Sequence, residues 1–447
     1  MSIPSYTGLD TALRGLSAAQ AAIDTTANNI ANANNAGYSR QTAVLTESTP
    51  LTLPAANGAG TALQLGTGVD VTAISRIRDQ FLDIQYRAQN TNTSQLSTSS
   101  AFLQQVQTAL AEPSAQGLSS QLTAFWNSWS DLAQAPSSAA AKQAVVDAAN
   151  ALADTFNGLE SQLQGIQSQA SQQLGWLTGP SGQVQADANQ IATLNGQISQ
   201  AQAAGVNPNQ LLDQRDQLLD DLSTYGTVSV TDPGNGLLVV NFGGDTTTPL
   251  INGKTANSAA SLNLGGASGG TLGALATVAA PNGPISGYLN TLANFAGTLT
   301  TAVNSIHTTA PVFSVATTTT ALGASATTLS VAATPGTIQA TATTNAGASE
   351  VALGIAGLAG GAVDQGYAAF VTHAGADVQS AQRSLASAQT LSTAINQQRQ
   401  STSGVSLDEE MANLVRYQQA YQASARAMTT IDSALDTLIN HTGTVGL

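Results

Sequence analysis

The stretch GLDTALRGLSAAQAAIDTTANNI, Gly8 to Ile30, places Leu9, Leu13, Leu16, Gln20, Ile23, Ala27 and Ile30 at steps of four and three. Near the other end LDEEMANLVRYQQAYQASARAMTTIDSALDTLI, Leu407 to Ile439, repeats the rhythm in Leu407, Met411, Leu414, Gln418, Tyr421, Ala425, Met428, Asp432, Leu435 and Ile439. A period near 3.5 keeps one narrow apolar stripe along a helix. That is the seam one helix offers another, not the broad face it lays on a globular core. Both ends therefore read as association helices, and the chain is nested, its distant ends meeting around everything between them.

Working inward, proline marks where long helices cannot run, since inside a helix it costs ~3 kcal/mol. The first helix is expected over Tyr6 to Ala33, closed by Asn34-Asn35-Ala36-Gly37, and Thr42 to Gly68 reads as extended hairpin or loop. From Ile74 the helical period returns with Ile77, Phe81, Ile84 and Ala88, then with Leu118, Leu122, Phe125, Trp129 and Leu132, then with Leu152, Phe156, Leu159, Leu163 and Ile166. Ile74 to Leu222 is thus expected to be a bundle broken near Pro113, Pro136, Pro180 and Pro208, with Trp126 and Trp129 as core anchors. After Tyr225 the period changes: Thr227 to Val230 and Leu237 to Phe242 flank the turn Asp232-Pro233-Gly234-Asn235-Gly236. Between Thr227 and Phe370 the only charged residues are Asp232, Asp245, Lys254, Glu350 and Asp364. One helix is expected there, carrying Leu289, Leu292, Phe295, Leu299 and Val303, and Val315 to Asn345 is so poor in large apolar groups that only partial order is expected. Helix resumes from Asp377 and breaks at Ser403-Gly404. The last helix opens on a Ser406/Glu409 capping box, with Asp408, Glu409 and Glu410 read as ordinary helix-start charges.

The expected fold class is mainly α with a β-rich insertion (α+β, multidomain). Residues 1–50 with 400–447 form paired, coiled-coil-like terminal helices, 51–226 with 371–399 a long-helix bundle, and 227–370 a β-rich outer domain.

Composition narrows the function. Twelve Lys and Arg against 26 Asp and Glu give a net charge of −14, with no basic cluster to neutralise phosphates, so nucleic acid is not an expected partner. The absence of cysteine removes disulfides and thiolate chemistry. The longest apolar run, Val351 to Val363, falls short of the ~20 residues of a membrane span, and Pro4, Asp10 and Arg14 interrupt any cleavable signal peptide. His307, His373 and His441 stand far apart without metal-ligand spacing and read as surface residues; Gly253-Lys254-Thr255 lacks the glycine of a phosphate loop and reads as a turn; Gly265-Gly266 and Gly269-Gly270 do not fit a dinucleotide fingerprint. No catalytic, cofactor-binding or metal site is assigned, and no enzyme is expected.

Two motifs carry a resemblance. NNIANANNAGYSRQ, Asn28 to Gln41, resembles the N-terminal signature of the rod, hook and hook-associated proteins of the bacterial flagellum, through Asn28, Asn29, Ile30, Ala31, Asn32, Gly37 and Tyr38. SGVSLDEEMANLVRYQQAYQASARAM, Ser403 to Met428, resembles their C-terminal signature through Leu407, Glu409, Glu410, Asn413, Leu414, Gln418, Tyr421 and Ala425. Within that family LLDQRDQLLDDLS, Leu211 to Ser223, is similar to the members that join hook to filament. The resemblance implies a structural subunit that self-assembles as a homo-oligomeric ring at the extracellular hook–filament junction of the flagellum. Its implied neighbours are hook protein and the next hook-associated protein. It also implies type III export without a cleavable signal and a flagellar export chaperone that grips Leu414, Tyr421 and Met428. Candidate assembly residues are Leu9, Leu13, Leu16, Ile23, Ile30, Asn28, Asn29, Asn32, Gly37 and Tyr38 at one end, and Leu407, Met411, Leu414, Tyr421, Met428, Leu435 and Ile439 at the other. The alternatives are another axial subunit, hook or flagellin-like, a secreted coiled-coil adhesin and, with least support, a hydrolase within 227–370.

Overall fold

The computed structural model describes residues 7–53, 63–261, 269–323, 325–342 and 347–441. In chain order the elements are α1 (Thr7–Ala31), β1 (Gln41–Glu47), β2 (Leu51–Leu53), β3 (Leu63–Leu65), β4 (Val69–Arg76), α2 (Gln80–Leu110), α3 (Leu118–Gln134), α4 (Ala139–Thr178), α5 (Gln183–Ala203) and α6 (Asn209–Tyr225). There follow β5 (Val228–Thr231), β6 (Val239–Phe242), β7 (Ile251–Asn252), β8 (Thr255–Ala256), α7 (Gly270–Ala279), α8 (Pro284–Ile306), β9 (Phe313–Thr319), β10 (Ser325–Val331), α9 (Glu350–Ala356), α10 (Ala362–Ser403) and α11 (Leu407–Asp436). The architecture is mainly helical with small separate sheets: hairpins β1/β4, β2/β3 and β9/β10, and a four-stranded antiparallel sheet in the order β5-β6-β7-β8.

The termini do meet. α1 and α11 run antiparallel: a methyl placed on Gly8 would lie 3.2 Å from Ile431 Cδ1, one on Gly15 would lie 3.0 Å from Ser424 Oγ, and Asn29 bonds Glu410. Each seven residues gained along α1 is seven lost along α11, which is heptad pairing. The stripe of α1 that packs is not the leucine stripe. Ala12, Ala19, Ala22, Thr26 and Asn29 are buried and continue the Gly8 and Gly15 positions at steps of three and four, one residue round from Leu9, Leu13 and Leu16. Small side chains let the helix axes approach closely, so the large ones are pushed to the flank. Leu13 is left 50% exposed, while Leu9, Leu16, Ile23 and Ile30 are half-buried. On α11 Leu414, Tyr417, Tyr421, Ser424, Met428, Ile431 and Leu435 are half-buried; Leu407, Met411 and, past the helix end, Ile439 are exposed.

Inside, α2 and α10 form a second long antiparallel pair, Gln89 Nε2 donating to Ala388 O at 2.9 Å. The core is one continuous cluster from Phe102 to Ala374. Trp126 and Trp129 are both buried in it, as expected. Phe125 touches Phe313, and Phe156 stacks on Phe295, which meets Tyr367, so rings from α3, α4, α8, β9 and α10 join the layers of this core. Position 370 lies inside unbroken α10, and this core spans position 226 as well.

Several expectations are corrected. Ile74 and Ile77 are not helical: the β-branched run from Val69 pairs with β1, and α2 starts only at Gln80, where Asp79 caps Phe81 N at 2.8 Å. Segment 227–370 holds α7, α9 and the start of α10 besides the expected α8. Gly/Ala-rich stretches such as Gly270–Ala279 become helix because their small faces are buried in the common core. β9 and β10, which fall largely in the stretch where partial order was expected, pair in regular register, because α4 supplies the burial their own side chains lack: Leu329 is buried and Asn157 bonds its main chain. His307 is buried, its Nδ1 2.6 Å from Ala310 O and its Nε2 accepting from Gln339 N at 3.0 Å, so the ring serves as a link between main-chain segments. Gly265-Gly266, the His441 side chain and parts of the 42–68 and 315–345 stretches lie outside the described residues. Gly253-Lys254 is the β7/β8 turn, as read. Among the described residues no helix is long and apolar enough to cross a membrane.

Candidate functional site

Where the coiled termini join the bundle, the two end motifs lock onto each other. Asn29, on the last turns of α1, is 1% exposed and uses its whole amide. Its Nδ2 donates to Gln41 O (2.9 Å) and Glu410 Oε2 (3.0 Å), and its Oδ1 accepts from Gln41 N (3.0 Å) and Tyr38 OH (2.8 Å). No other side chain of that size offers both halves of this pattern. Asn32 donates back to Asn28 O and Oδ1, both at 2.9 Å, tightening the end of α1. Gly37 turns the chain at φ +88°, a left-handed backbone that favours glycine at this position.

From the C-terminal side Ser406 caps α11, and the helix-start acids reach across to the other end. Arg40 pairs with Glu409 (2.7 Å) and with Glu410 (2.7 Å), and its main-chain N–H donates to Ser403 O at 2.9 Å. Glu410 is only 2% exposed. Two of the acids read as ordinary helix-start charges, Glu409 and Glu410, therefore bind the N-terminal end. Burial, then the charges of Asp213 and Glu410, push the Tyr38 hydroxyl up to about 12, which keeps it a neutral donor to Asn29.

Beneath this lock lies an ion-pair node that sequence reading missed. Asp213 accepts from Ser39 Oγ (2.7 Å) and Arg76 (2.7 Å); Asp216 pairs with Arg76 (2.9 Å), Arg78 (3.3 Å) and Arg87 (3.5 Å). Asp220 pairs with Arg87 (2.7 Å) and Arg399 (2.5 Å), and Asp83 takes Arg78 through both oxygens. The Arg399 guanidinium also lies 3.8 Å above the Tyr86 ring. Four arginines meet four aspartates drawn from β4, the β4–α2 link, α2, α6 and α10. Burial alone would raise the Asp216 carboxyl, but Arg78, Arg76 and Arg87 reverse that and hold it below its ordinary value. Burial likewise opposes the charge of Arg78, and Asp216 and Asp83 outweigh it, raising the guanidinium. Such a network adds little stability over a well-packed apolar core, but its directed bonds fix the angle at which elements meet. A signal was present: Asp213, Asp216 and Asp220 step by three and four along one face of α6, in a chain with only 12 basic residues.

The candidate assembly residues thus divide. Asn28, Asn29, Asn32, Gly37 and Tyr38 gather at the joint. Leu414, Tyr421, Met428 and Leu435 line the α11 face turned to α1. Leu9, Leu16, Ile23 and Ile30 flank the seam, and Leu13, Leu407, Met411 and Ile439 face outward.

Comparison with known proteins gives the following. A family model described as the flagellar hook-associated protein FlgK helical domain matches residues 103–315; one described as flagella basal body rod protein matches residues 9–38; and one described as flagellar basal body rod FlgEFG protein C-terminal matches residues 396–441. Flagellar hook-associated protein 1 of Bacillus subtilis is 31% identical over 510 aligned positions, covering 99% of this chain and 99% of its own. The protein of the same name from Salmonella typhimurium is 32% identical over 253 positions, 56% of this chain and 43% of its own. A solved structure, that of the flagellar hook junction protein FlgK from Burkholderia pseudomallei, aligns with TM-score 0.45 and 23% identity over 52% of this chain and 47% of that one.

Proposed function

The chain belongs to the family of flagellar hook-associated protein 1, and on that premise we propose that it is a structural subunit of the bacterial flagellum that builds the hook–filament junction by packing its paired termini against neighbouring copies. The observation that carries the reading is the division of labour on α1. Its small-residue stripe is spent on α11, while Leu13, Met411, Leu407 and Ile439 remain exposed on the resulting two-helix rod, a surface that gains by meeting another rod. Hook protein on one side and the next hook-associated protein on the other are the further neighbours we assign.

Ordering the 30 residues of α11 costs ~1–2 kcal/mol each in backbone entropy, and a large apolar side chain returns ~1.5–3 kcal/mol only when fully buried. Here the large side chains of α11 are half-buried at best. The termini therefore gain full order on assembly, by coupled folding and binding, in our reading. NMR of the free subunit showing fully protected α1 and α11 would overturn that part. Leu414, Tyr421 and Met428 face α1 in the paired state, so an export chaperone that covers them binds a chain whose α11 is separate, and chaperone binding and helix pairing exclude each other. The subunit acts outside the cell, in the flagellum, and we assign its export to the flagellar type III route.

The test is electron microscopy of purified flagella labelled with antibody to this chain, in cells carrying the wild type or a 407–447 deletion. Label in one zone between hook and filament, lost on deletion, is the expected outcome. Label along the filament would favour a flagellin-like role, and an unchanged zone after deletion would refute assembly through the termini.

A further inference from the structure

The β9/β10 ribbon has two outer edges, and only one is left open. In an antiparallel pair, directly opposed residues alternate between exchanging main-chain bonds and pointing them outward. On β10 the outward groups are met by α4: Leu329 N donates to Asn157 Oδ1 (3.0 Å), Leu329 O accepts from Asn157 Nδ2 (2.9 Å), and Thr327 N donates to Glu160 Oε1 (2.9 Å). Asn304 of α8 does the same for the first residue of β9, accepting from Phe313 N (3.2 Å) and donating to Phe313 O (2.8 Å). Thr327 opposes Thr317, Leu329 opposes Val315 and Ser325 opposes Thr319. By the same alternation Val315, Thr317 and Thr319 turn their N–H and C=O groups outward, and among the described residues nothing meets them.

This edge carries none of the usual protection. From Phe313 to Val331 there is no charge and no proline, the strand spans seven residues, and Ala316 to Thr319 are exposed. We propose that the β9 edge is a strand-addition surface whose occupant is the same edge of a second copy of this chain, paired antiparallel about Thr317. Self-pairing fits the chemistry. An uncharged edge matches an equally uncharged one, whereas β1 and β4 carry Glu47, Asp70 and Arg76 and β8 adjoins Lys254. Pairing about Thr317 sets Thr317 opposite Thr317 and Val315 opposite Thr319, cross-strand pairs of β-branched residues, in an isologous contact that closes at two copies. It joins chains through the outer hairpin and does not depend on the terminal helices, so it is separate from the junction reading.

The chain has no cysteine, so single cysteines report this contact in the full-length protein. In the proposed register two Thr317 Cα atoms lie about 5.5 Å apart, within disulfide reach, whereas two Thr319 Cα atoms lie about 14 Å apart. Under mild oxidation Thr317→Cys is expected to shift to twice the chain mass on a non-reducing gel while Thr319→Cys, also exposed, stays at chain mass. Blocking the edge with Val315→Pro, which removes an outward N–H and no ladder bond, is expected to abolish the Thr317→Cys cross-link. Equal cross-linking at 317 and 319, none at 317, or a cross-link that survives Val315→Pro would each overturn the proposal.

Discussion

Replacing Asp216 by Asn tests the node at the joint. The carboxylate holds Arg76, Arg78 and Arg87 at 2.9, 3.3 and 3.5 Å, and the isosteric amide removes its charge and turns an N–H₂ toward at least one guanidinium. Stripping one partner from a fully buried ion pair costs ~3–5 kcal/mol, and a single lost hydrogen bond ~1 kcal/mol. Here each arginine keeps another carboxylate, Asp213, Asp83 or Asp220, and retains 9–14% side-chain exposure, so the cost falls between these limits. We take it as about 3 kcal/mol, roughly a hundredfold in the local opening constant. Hydrogen exchange read by mass spectrometry should show faster exchange over Gln80–Asn90 and Asn209–Tyr225 and little change in α3 and α4. The pH dependence follows from the sign of the shift. The folded carboxyl sits below its unfolded value of ~3.9, so its contribution is fully present above about pH 4 and is lost as acid takes the pH down through the folded value. A urea series should therefore find the wild type and Asp216→Asn far apart near neutrality, with the gap narrowing as the pH falls below about 4. Unchanged exchange at the joint in the variant, or a gap that widens in acid, would refute the account of the node.

Other outcomes follow from the same contacts. Gly15→Leu, which drives a large side chain into Ser424, should separate α1 from α11, whereas Leu13→Asp should leave the pairing intact and lower incorporation into flagella; the reverse ranking, read by cross-linking of the termini and by microscopy, would return the seam to the leucine stripe. Glu410→Ala deprives Arg40 and Asn29 of a shared partner and should cost about 2 kcal/mol, with Arg40→Ala/Glu410→Ala less than additive in the assembled state. Asn157→Ala uncovers both main-chain groups of buried Leu329 and should raise exchange over residues 325–331 by an amount worth ~1–3 kcal/mol. Burial raises the Glu160 carboxyl, so its charged form weighs against the fold as pH rises above the unfolded value of ~4.3 and through the folded one; Glu160→Gln should flatten that fall in the urea midpoint, and an unaltered profile would contradict it.

Much of this was legible in residue order because it rests on local rules. Proline spacing placed the ends of α2 to α5, since a missing N–H and a ring clash act within one turn. The Asp232–Gly236 turn and the Ser403-Gly404 break were likewise set by backbone geometry at the site itself. Heptad spacing identified both termini as partners. Reading failed where small residues decide. The Gly8, Gly15, Ala19 and Ala22 stripe looks inert beside the leucines, and only the pairing shows that close approach selects it. Besides the expected α8, the helices α7 and α9, the start of α10 and the β9/β10 ribbon escaped, because their side chains bury little alone and gain burial from the helices packed around them.

The sequence by itself determined that the two ends of this chain are partners: two heptad rhythms and two end motifs, written in short-range spacing, are enough for that. Tertiary structure alone decided how the ends engage. Asn29 finds Glu410 and Asp213 finds Ser39 across separations of 381 and 174 residues, and such contacts depend on which faces the packed core leaves side by side. A charge on a helix reads as solvated until another element comes within bonding distance, and no local pattern states that distance.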